Sequence, residues 1–243
     1  MLRAAALLLL ASPVFGQPAN ADTALAAVAA NFAGAATALA ADFKTRSGHD
    51  ITLTTGSTGK LYAQIIAGAP FDVLLSADAA IPAQLQAAGH GLAFPYAYGV
   101  LTLWAPNRTT TDATTLLQST ETRHIAIANP DLAPYGAAAK AALTAMGIYD
   151  KIADKIVMGQ NIGQAFALTS SGAADAGFIA KSALPADATG FIWDVPPALY
   201  PPIQQDAILL TYGADNAAAK GFLDYLQSPN AHAIIAQFGY GLP

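Results

Sequence analysis

Short apolar segments alternate with amphipathic stripes along most of this chain. Residues 23–30 are small and branched apolar residues, which is typical of a buried strand, and Asn31 follows them at the predicted strand-to-helix turn. The next apolar residues are spaced by four, three and four positions, so they lie on one face of a helix. This stripe consists of Phe32, Ala36, Leu39 and Phe43.

The same order of strand, polar turn and helix is repeated directly afterwards. A strand is predicted at residues 51–54, and the helix behind its turn is expected to direct Leu61, Ile65 and Ile66 inward. A third strand is predicted at residues 71–75. Alternating strands and helices favour a doubly wound sheet with mainly parallel strands. In such sheets ligands bind beyond the carboxyl ends of the strands.

A second series of this kind follows a predicted strand at residues 98–104 and a threonine-rich loop. Its strands are predicted at residues 124–128, 155–158, 174–179 and 191–195. A strand predicted at 208–210 returns to the first series, and two helices at 217–226 and 230–238 close the chain. We therefore predict a two-lobed α/β clamshell in which two crossing segments join the lobes and a ligand binds between them. Lobe 1 is assigned to residues 22–101 and 203–243, and lobe 2 to residues 102–202.

The turn Gly56-Ser57-Thr58-Gly59 has the composition of an anion site. Glycines let the backbone approach a ligand closely, hydroxyls donate hydrogen bonds, and the first N–H groups of the next helix point into the turn. It is not a Walker A loop, because Thr54 stands where the first glycine is required and Leu61 follows the lysine. The alternative is an ordinary helix cap in which Ser57 or Thr58 bonds its own backbone.

Four further places follow predicted strands. Asn31 is either a ligand donor or a plain helix cap, and the amide of Tyr135 is a candidate anion donor while its ring could equally cover the surface. Asp78 reads as a helix cap, and residues 159–163 form a fourth polar turn before a helix. Because all four turns follow strands, we expect at least Asn31 and Ser57 or Thr58 to share one site.

Composition limits the function classes. Hydrophobic residues make up 54% of the 243 residues, charged residues only 11%, and the net charge is −5. The few lysines and arginines are scattered, which excludes a nucleic-acid surface, so an anion would have to be held by neutral dipoles. Residues 1–21 read as a secretory signal peptide, and with no cysteine present we expect a free protein in the periplasm.

A secreted hydrolase is the alternative from another class. The chain has no Gly-x-Ser-x-Gly sequence and no cysteine, and its four histidines lie in no recognisable catalytic pattern. No two histidines are spaced by three or four positions, so a metal site is also poorly supported. A binding protein is the stronger prediction.

With all four turns considered, the chain resembles the periplasmic molybdate-binding proteins that serve an ABC transporter. The resemblance is carried by residues 27–32, 56–65, 68–73, 76–78, 129–136 and 228–240, which follow the expected order over nearly the whole mature chain. It implies an oxyanion held by neutral donors: amides of Asn31, hydroxyl and amide of Ser57 or Thr58, and main-chain amides of Tyr135 and Ile162. It further implies a monomer without cofactor or enzymatic activity that delivers its ligand to a membrane permease.

One position departs from the family. Some members use a tyrosine hydroxyl where this chain has Ala180, and Asn31 is the expected replacement donor. The choice of anion follows from charge: only Asp131 is an acid near the proposed donors, so the turns suit a fully ionised dianion rather than phosphate, which keeps a proton near neutral pH. Sulfate or another small anion remains an alternative to molybdate, because its exclusion depends on pocket size, and tungstate nearly matches molybdate.

Overall fold

The chain forms two five-stranded sheets in the computed structural model, which describes residues 22–110 and 112–243. The predicted signal peptide at residues 1–21 lies outside these residues. In the described part of the chain, no helix is both long enough and apolar enough to cross a membrane.

The strands and helices follow the predicted alternation. The strands are β1 Thr23–Ala29, β2 Asp50–Gly56, β3 Val73–Leu75, β4 Ala93–Gly99, β5 Leu101–Ala105, β6 Ile125–Ala128, β7 Ile156–Gly159, β8 Ala176–Ala180, β9 Phe191–Asp194 and β10 Ile203–Leu209. The helices are α1 Ala33–Ser47, α2 Thr58–Ile66, α3 Ala80–Ala87, α4 Ala113–Gln118, α5 Pro134–Ala145, α6 Ile162–Ser170, α7 Ala217–Leu226 and α8 Pro229–Gln237.

The two sheets have the same plan. The first has the order β2-β1-β3-β10-β4, in which β1 pairs in parallel with β2 and β3 while β10 runs antiparallel between β3 and β4. The second has the order β7-β6-β8-β5-β9, in which β6 pairs in parallel with β7 and β8 while β5 is antiparallel to β8 and β9. One strand in each sheet therefore opposes the other four, and the prediction of two mainly parallel lobes is confirmed.

The first crossing between the sheets lies at Val100. The single strand predicted at residues 98–104 is wrong, because β4 ends at Gly99 in the first sheet and β5 begins at Leu101 in the second. The run is apolar on both sides of Val100, so its pattern does not reveal the change of sheet. A Cβ atom at Gly99 would lie 2.2 Å from the Tyr135 hydroxyl, which explains a glycine here. The exact lobe limits given above stay a prediction.

Helices cover both faces of the first sheet. One face packs on α1, α7 and α8 through side chains such as Phe32, Leu39 and Phe222, and the other packs on α2 and α3 through Leu61 and Leu85. The inward direction predicted for Ile66 is wrong, since 60% of it is exposed. Successive helix residues are about 100° apart, so Ile66 lies about 140° round the helix from the buried Leu61, outside the face that Leu61 and Ile65 share.

Candidate functional site

Four helical N-termini meet in one pocket between the two sheets. Strand β1 leads into a 3₁₀ turn at Ala30–Phe32, β2 leads into α2, β6 into α5 and β7 into α6. The pocket wall includes all five predicted site residues, each of them buried: Asn31, Ser57, Thr58, Tyr135 and Ile162. Three come from the first lobe and two from the second, so the pocket is completed only when the lobes are together.

Ser57 lines this pocket and carries a buried hydroxyl. It occupies the cap position of α2, yet its side chain makes no capping hydrogen bond, and its Oγ has no partner among the described residues. An unpaired buried hydroxyl costs about 1–3 kcal/mol, so a partner for it is expected. The helix-cap interpretation of Ser57 is therefore wrong, and its hydroxyl is free to bind a ligand.

Thr58 is held differently from Ser57. Its Oγ1 accepts a hydrogen bond from the main-chain N–H of Ala77 at 3.1 Å, so the Thr58 side chain is not a cap for α2 either. A hydroxyl that accepts one bond can still donate its own proton. Thr58 therefore combines a structural contact with a donor that remains available to the pocket.

Asn31 is fixed by the protein interior rather than by its own helix. Its side-chain Nδ2 donates to Gln205 Oε1 at 2.9 Å and to Tyr240 Oη at 3.2 Å, and it caps neither the 3₁₀ turn nor α1. The helix-cap alternative is therefore wrong. Because both side-chain protons are used inside the protein, the donor that Asn31 can offer to the pocket is its main-chain N–H.

The second lobe contributes the starts of α5 and α6. The Tyr135 ring is fully buried, so the alternative that it covers the surface is wrong, and its hydroxyl accepts a bond from Gln205 Nε2 at 3.4 Å. Pro134, the first residue of α5, has no N–H, which leaves the Tyr135 amide as the first donor of that helix. Ile162 begins α6 behind Asn161, whose side chain caps the helix by accepting from Gln164 N at 3.0 Å.

A buried polar network behind the pocket was not predicted from the sequence. Gln205 is its centre: besides Asn31 and Tyr135 it contacts the Tyr96 hydroxyl, which lies 3.0 Å from Oε1. Burial raises the pKa of Tyr96 and of Tyr135 well above the ordinary value, so both hydroxyls keep their protons. The available signal was the run Gln204-Gln205-Asp206 inside an otherwise apolar strand, where polar residues need partners.

The Ala180 position carries no substitute hydroxyl into the pocket. Ala180 ends β8, and the nearby Ser182 Oγ donates to the Asn31 carbonyl at 3.1 Å, an oxygen that also accepts from Tyr240 Oη at 2.6 Å. Neither Ser182 nor Tyr240 is among the described residues that line the pocket. These two hydroxyls therefore hold the main chain at Asn31 without themselves lining the pocket.

The pocket is electropositive without a formal charge. Among the described residues that line it there is no lysine, arginine, aspartate or glutamate. Helix N-termini carry a partial positive charge and unpaired N–H groups, so four of them around one point favour an anion. The pocket is small, with about 10 Å³ of accessible space, so it suits a compact anion.

A larger cavity of about 440 Å³ adjoins the pocket and shares Ala77, Ala133 and Pro134 with it. Its wall is mostly apolar but includes Asp78 and Asp131, so the acids near the donors lie outside the anion pocket. Asp78, two residues before α3, accepts from Ile81 N in its first turn at 2.8 Å, in agreement with the predicted capping role. Burial raises the pKa of Asp78 above the usual carboxyl value.

Comparison with known proteins now decides the family. A family model described as bacterial extracellular solute-binding protein matches residues 24–241. The chain belongs to this family. The molybdate-binding protein ModA of Rhodobacter capsulatus is 43% identical over 92% of this chain and 90% of its own length. ModA of Azotobacter vinelandii is 42% identical over 89% of this chain and 88% of its own.

A solved structure with 39% sequence identity has the same fold. The periplasmic molybdate-binding protein of Azotobacter vinelandii superposes with a TM-score of 0.86, at 39% identity over 90% of this chain and 99% of that chain. The sulfate-binding protein SubI of Mycobacterium tuberculosis superposes with a TM-score of 0.74, but at 13% identity it shows the fold alone. The resemblance inferred from the sequence is therefore confirmed.

Proposed function

We propose that this protein binds molybdate in the pocket between its lobes and delivers it to the permease of an ABC transporter. The observation that carries the proposal is a buried anion pocket built from four helix N-termini and an unpaired Ser57 hydroxyl, with no charged residue among its described walls. The relatives named for molybdate binding, at 42% and 43% identity, favour this anion over sulfate.

The proposed donor set follows from which protons remain free. Asn31, Tyr135 and Ile162 offer main-chain N–H groups at helix starts, and Ser57 and Thr58 offer hydroxyls with their amides. All of these groups donate, and none is a carboxylate that could accept a proton from the ligand. Such a site suits a dianion whose oxygens all accept, and it disfavours phosphate, which carries a proton near neutral pH.

Size separates the remaining anions. Tungstate has nearly the size and charge of molybdate, so we propose that both bind, while sulfate is smaller and leaves some donors too far away. Donors placed for the larger anion lose hydrogen-bond energy steeply as distances grow.

The proposal includes a cellular setting. Residues 1–21 are the proposed signal peptide, and the mature protein is proposed to act in the periplasm as a monomer, without cofactor or enzymatic activity. Residues 22–101 with 203–243, and residues 102–202, are the proposed lobes that close on the ligand. The location follows the family description as extracellular solute-binding proteins.

Thermal unfolding of the mature protein with molybdate, tungstate, sulfate and phosphate in separate samples tests the proposal. Ligand at a hundred times its dissociation constant adds about 2.7 kcal/mol, which raises the unfolding temperature by roughly 5–10 °C for a chain of this size. We expect this rise with molybdate and tungstate and little change with the other two. A rise with sulfate alone would replace the ligand, and no rise with any anion would refute an oxyanion site.

A further inference from the structure

Besides the side-chain bonds from Ser182 to Asn31 and from Gln205 to Tyr135, one main-chain hydrogen bond joins the two walls of the anion pocket. The N–H of Gly59, in the first turn of α2, donates to the carbonyl oxygen of Leu132 at 3.0 Å. Gly59 follows the donors Ser57 and Thr58 on the first lobe, and Leu132 precedes the start of α5 on the second. The contact therefore spans the cleft beside the pocket.

The contact leaves no space for a side chain on Gly59. A Cβ atom at Gly59 would lie 3.1 Å from the Leu132 oxygen and 3.3 Å from its Cα, closer than most real Cβ contacts. Both neighbours are backbone atoms, which cannot rotate away as the end of a side chain can. The second lobe thus packs directly against the backbone of α2.

The loop that carries Leu132 has little freedom to yield. The N–H groups of Leu132 and Ala133 both donate to the Asn129 carbonyl, at 3.2 and 2.9 Å, and Asp131 N donates to Asn129 Oδ1 at 2.9 Å. Pro130 and Pro134 restrict the backbone on either side. An added atom at Gly59 would therefore move the lobes apart more readily than it would deform the loop.

We propose that the Gly59–Leu132 contact is the stop that sets how far the lobes close, and that Gly59 is a positioning residue for the anion. The inference rests on the proposed function. Gly59 does not line the pocket; it sets the distance between Ser57 and Thr58 on one wall and the Tyr135 amide on the other. Its N–H is used in this contact and is not a ligand donor.

The test is the substitution Gly59→Ala, compared with Gly221→Ala in α7. Alanine favours a helix over glycine at both sites, and a Cβ at Gly221 would make only ordinary contacts with Phe43, at 3.4 and 3.7 Å. We expect neither variant to lower the unfolding temperature of the ligand-free protein. We expect Gly59→Ala to raise the molybdate dissociation constant about tenfold, mainly through faster dissociation, because one hydrogen bond is lost and the donors move apart.

Two further readouts keep the inference separate from the proposed function. Small-angle scattering with saturating molybdate should give a larger radius of gyration for Gly59→Ala than for the parent, and the parent's Gly59 amide should gain protection from hydrogen exchange when molybdate binds. Equal affinity and radius in the two alanine variants would overturn the inference, as would an unprotected Gly59 amide in the molybdate-saturated parent. A parent that binds no oxyanion would instead refute the proposed function.

Discussion

The hydroxyl of Ser57 offers a prediction in which stability and binding change in different directions. Its Oγ is buried and unpaired among the described residues, and it lines the anion pocket. Ser57→Ala removes this atom without removing a capping bond, because the side chain caps nothing. The ligand-free protein should therefore keep its stability or gain up to about 1 kcal/mol, since an unsatisfied polar group is lost.

Binding should fall at the same time. A hydrogen bond to a charged group contributes about 1.5–3 kcal/mol, which corresponds to a rise of roughly 10- to 150-fold in the dissociation constant for molybdate. Isothermal titration calorimetry measures this change, and thermal unfolding without ligand measures stability. A dissociation constant within about twofold of the parent's would mean that the Ser57 hydroxyl does not contact the anion, because such a hydrogen bond should change the constant by roughly tenfold or more.

The chain contains a matched control for this substitution. Thr122 Oγ1 is the other buried side-chain atom without a partner among the described residues, and Thr122 does not line the anion pocket. Thr122→Val removes a hydroxyl of the same kind while keeping the side-chain shape, so it should leave molybdate affinity unchanged. Equal weakening in both variants would show that the effect is not local to the pocket.

Unlike Ser57→Ala, Thr58→Val should lower both stability and binding. It removes the acceptor of the Ala77 N–H and leaves that buried group unpaired, so we expect a loss of about 1–3 kcal/mol in stability, or roughly 2–12 °C in unfolding temperature. Molybdate binding should weaken as well, by at least about tenfold, because its free proton is also a proposed donor. A ligand-free stability equal to the parent would contradict the Ala77 contact.

Two further substitutions test the surroundings of the pocket. Gln205→Leu should lower the free energy of unfolding in urea by roughly 2–5 kcal/mol and weaken molybdate binding, because Asn31 and Tyr96 lose a buried partner. The control Gln204→Leu, at the neighbouring position, should lower the free energy of unfolding much less. Equal losses in the two variants would refute the role of Gln205 as the network centre. The pKa of Asp78 is higher in the folded protein than in the unfolded chain, so its charged form destabilises the fold at neutral pH. The free energy of unfolding should therefore rise as the pH falls through the folded-state pKa, until it reaches the unfolded-state pKa. Asp78→Asn should therefore raise the unfolding temperature at neutral pH and flatten that pH dependence, and a lower temperature at neutral pH would contradict this sign.

Local patterns were enough to predict most elements. The stripe on α1 and the alternation of strands and helices follow from the periods of the helix and the strand, which are properties of neighbouring residues. The four polar turns could be recognised for the same reason, since glycine, hydroxyls and helix starts act on the backbone next to them. Errors occurred where local pattern carries no information, as at Val100, where one apolar run passes between two sheets.

The sequence by itself thus determined the fold class, the family resemblance and a set of turns able to bind an anion. Only the tertiary structure decided what each side chain in those turns contacts: Asn31 bonds to Gln205, 174 positions away, and Gly59 meets Leu132 across the cleft. The physical reason is that helix and strand periods are encoded locally, whereas a hydrogen bond across the interior depends on how distant segments pack. Ser57 and Thr58 are adjacent and chemically alike, and only packing leaves one hydroxyl unpaired while the other holds Ala77.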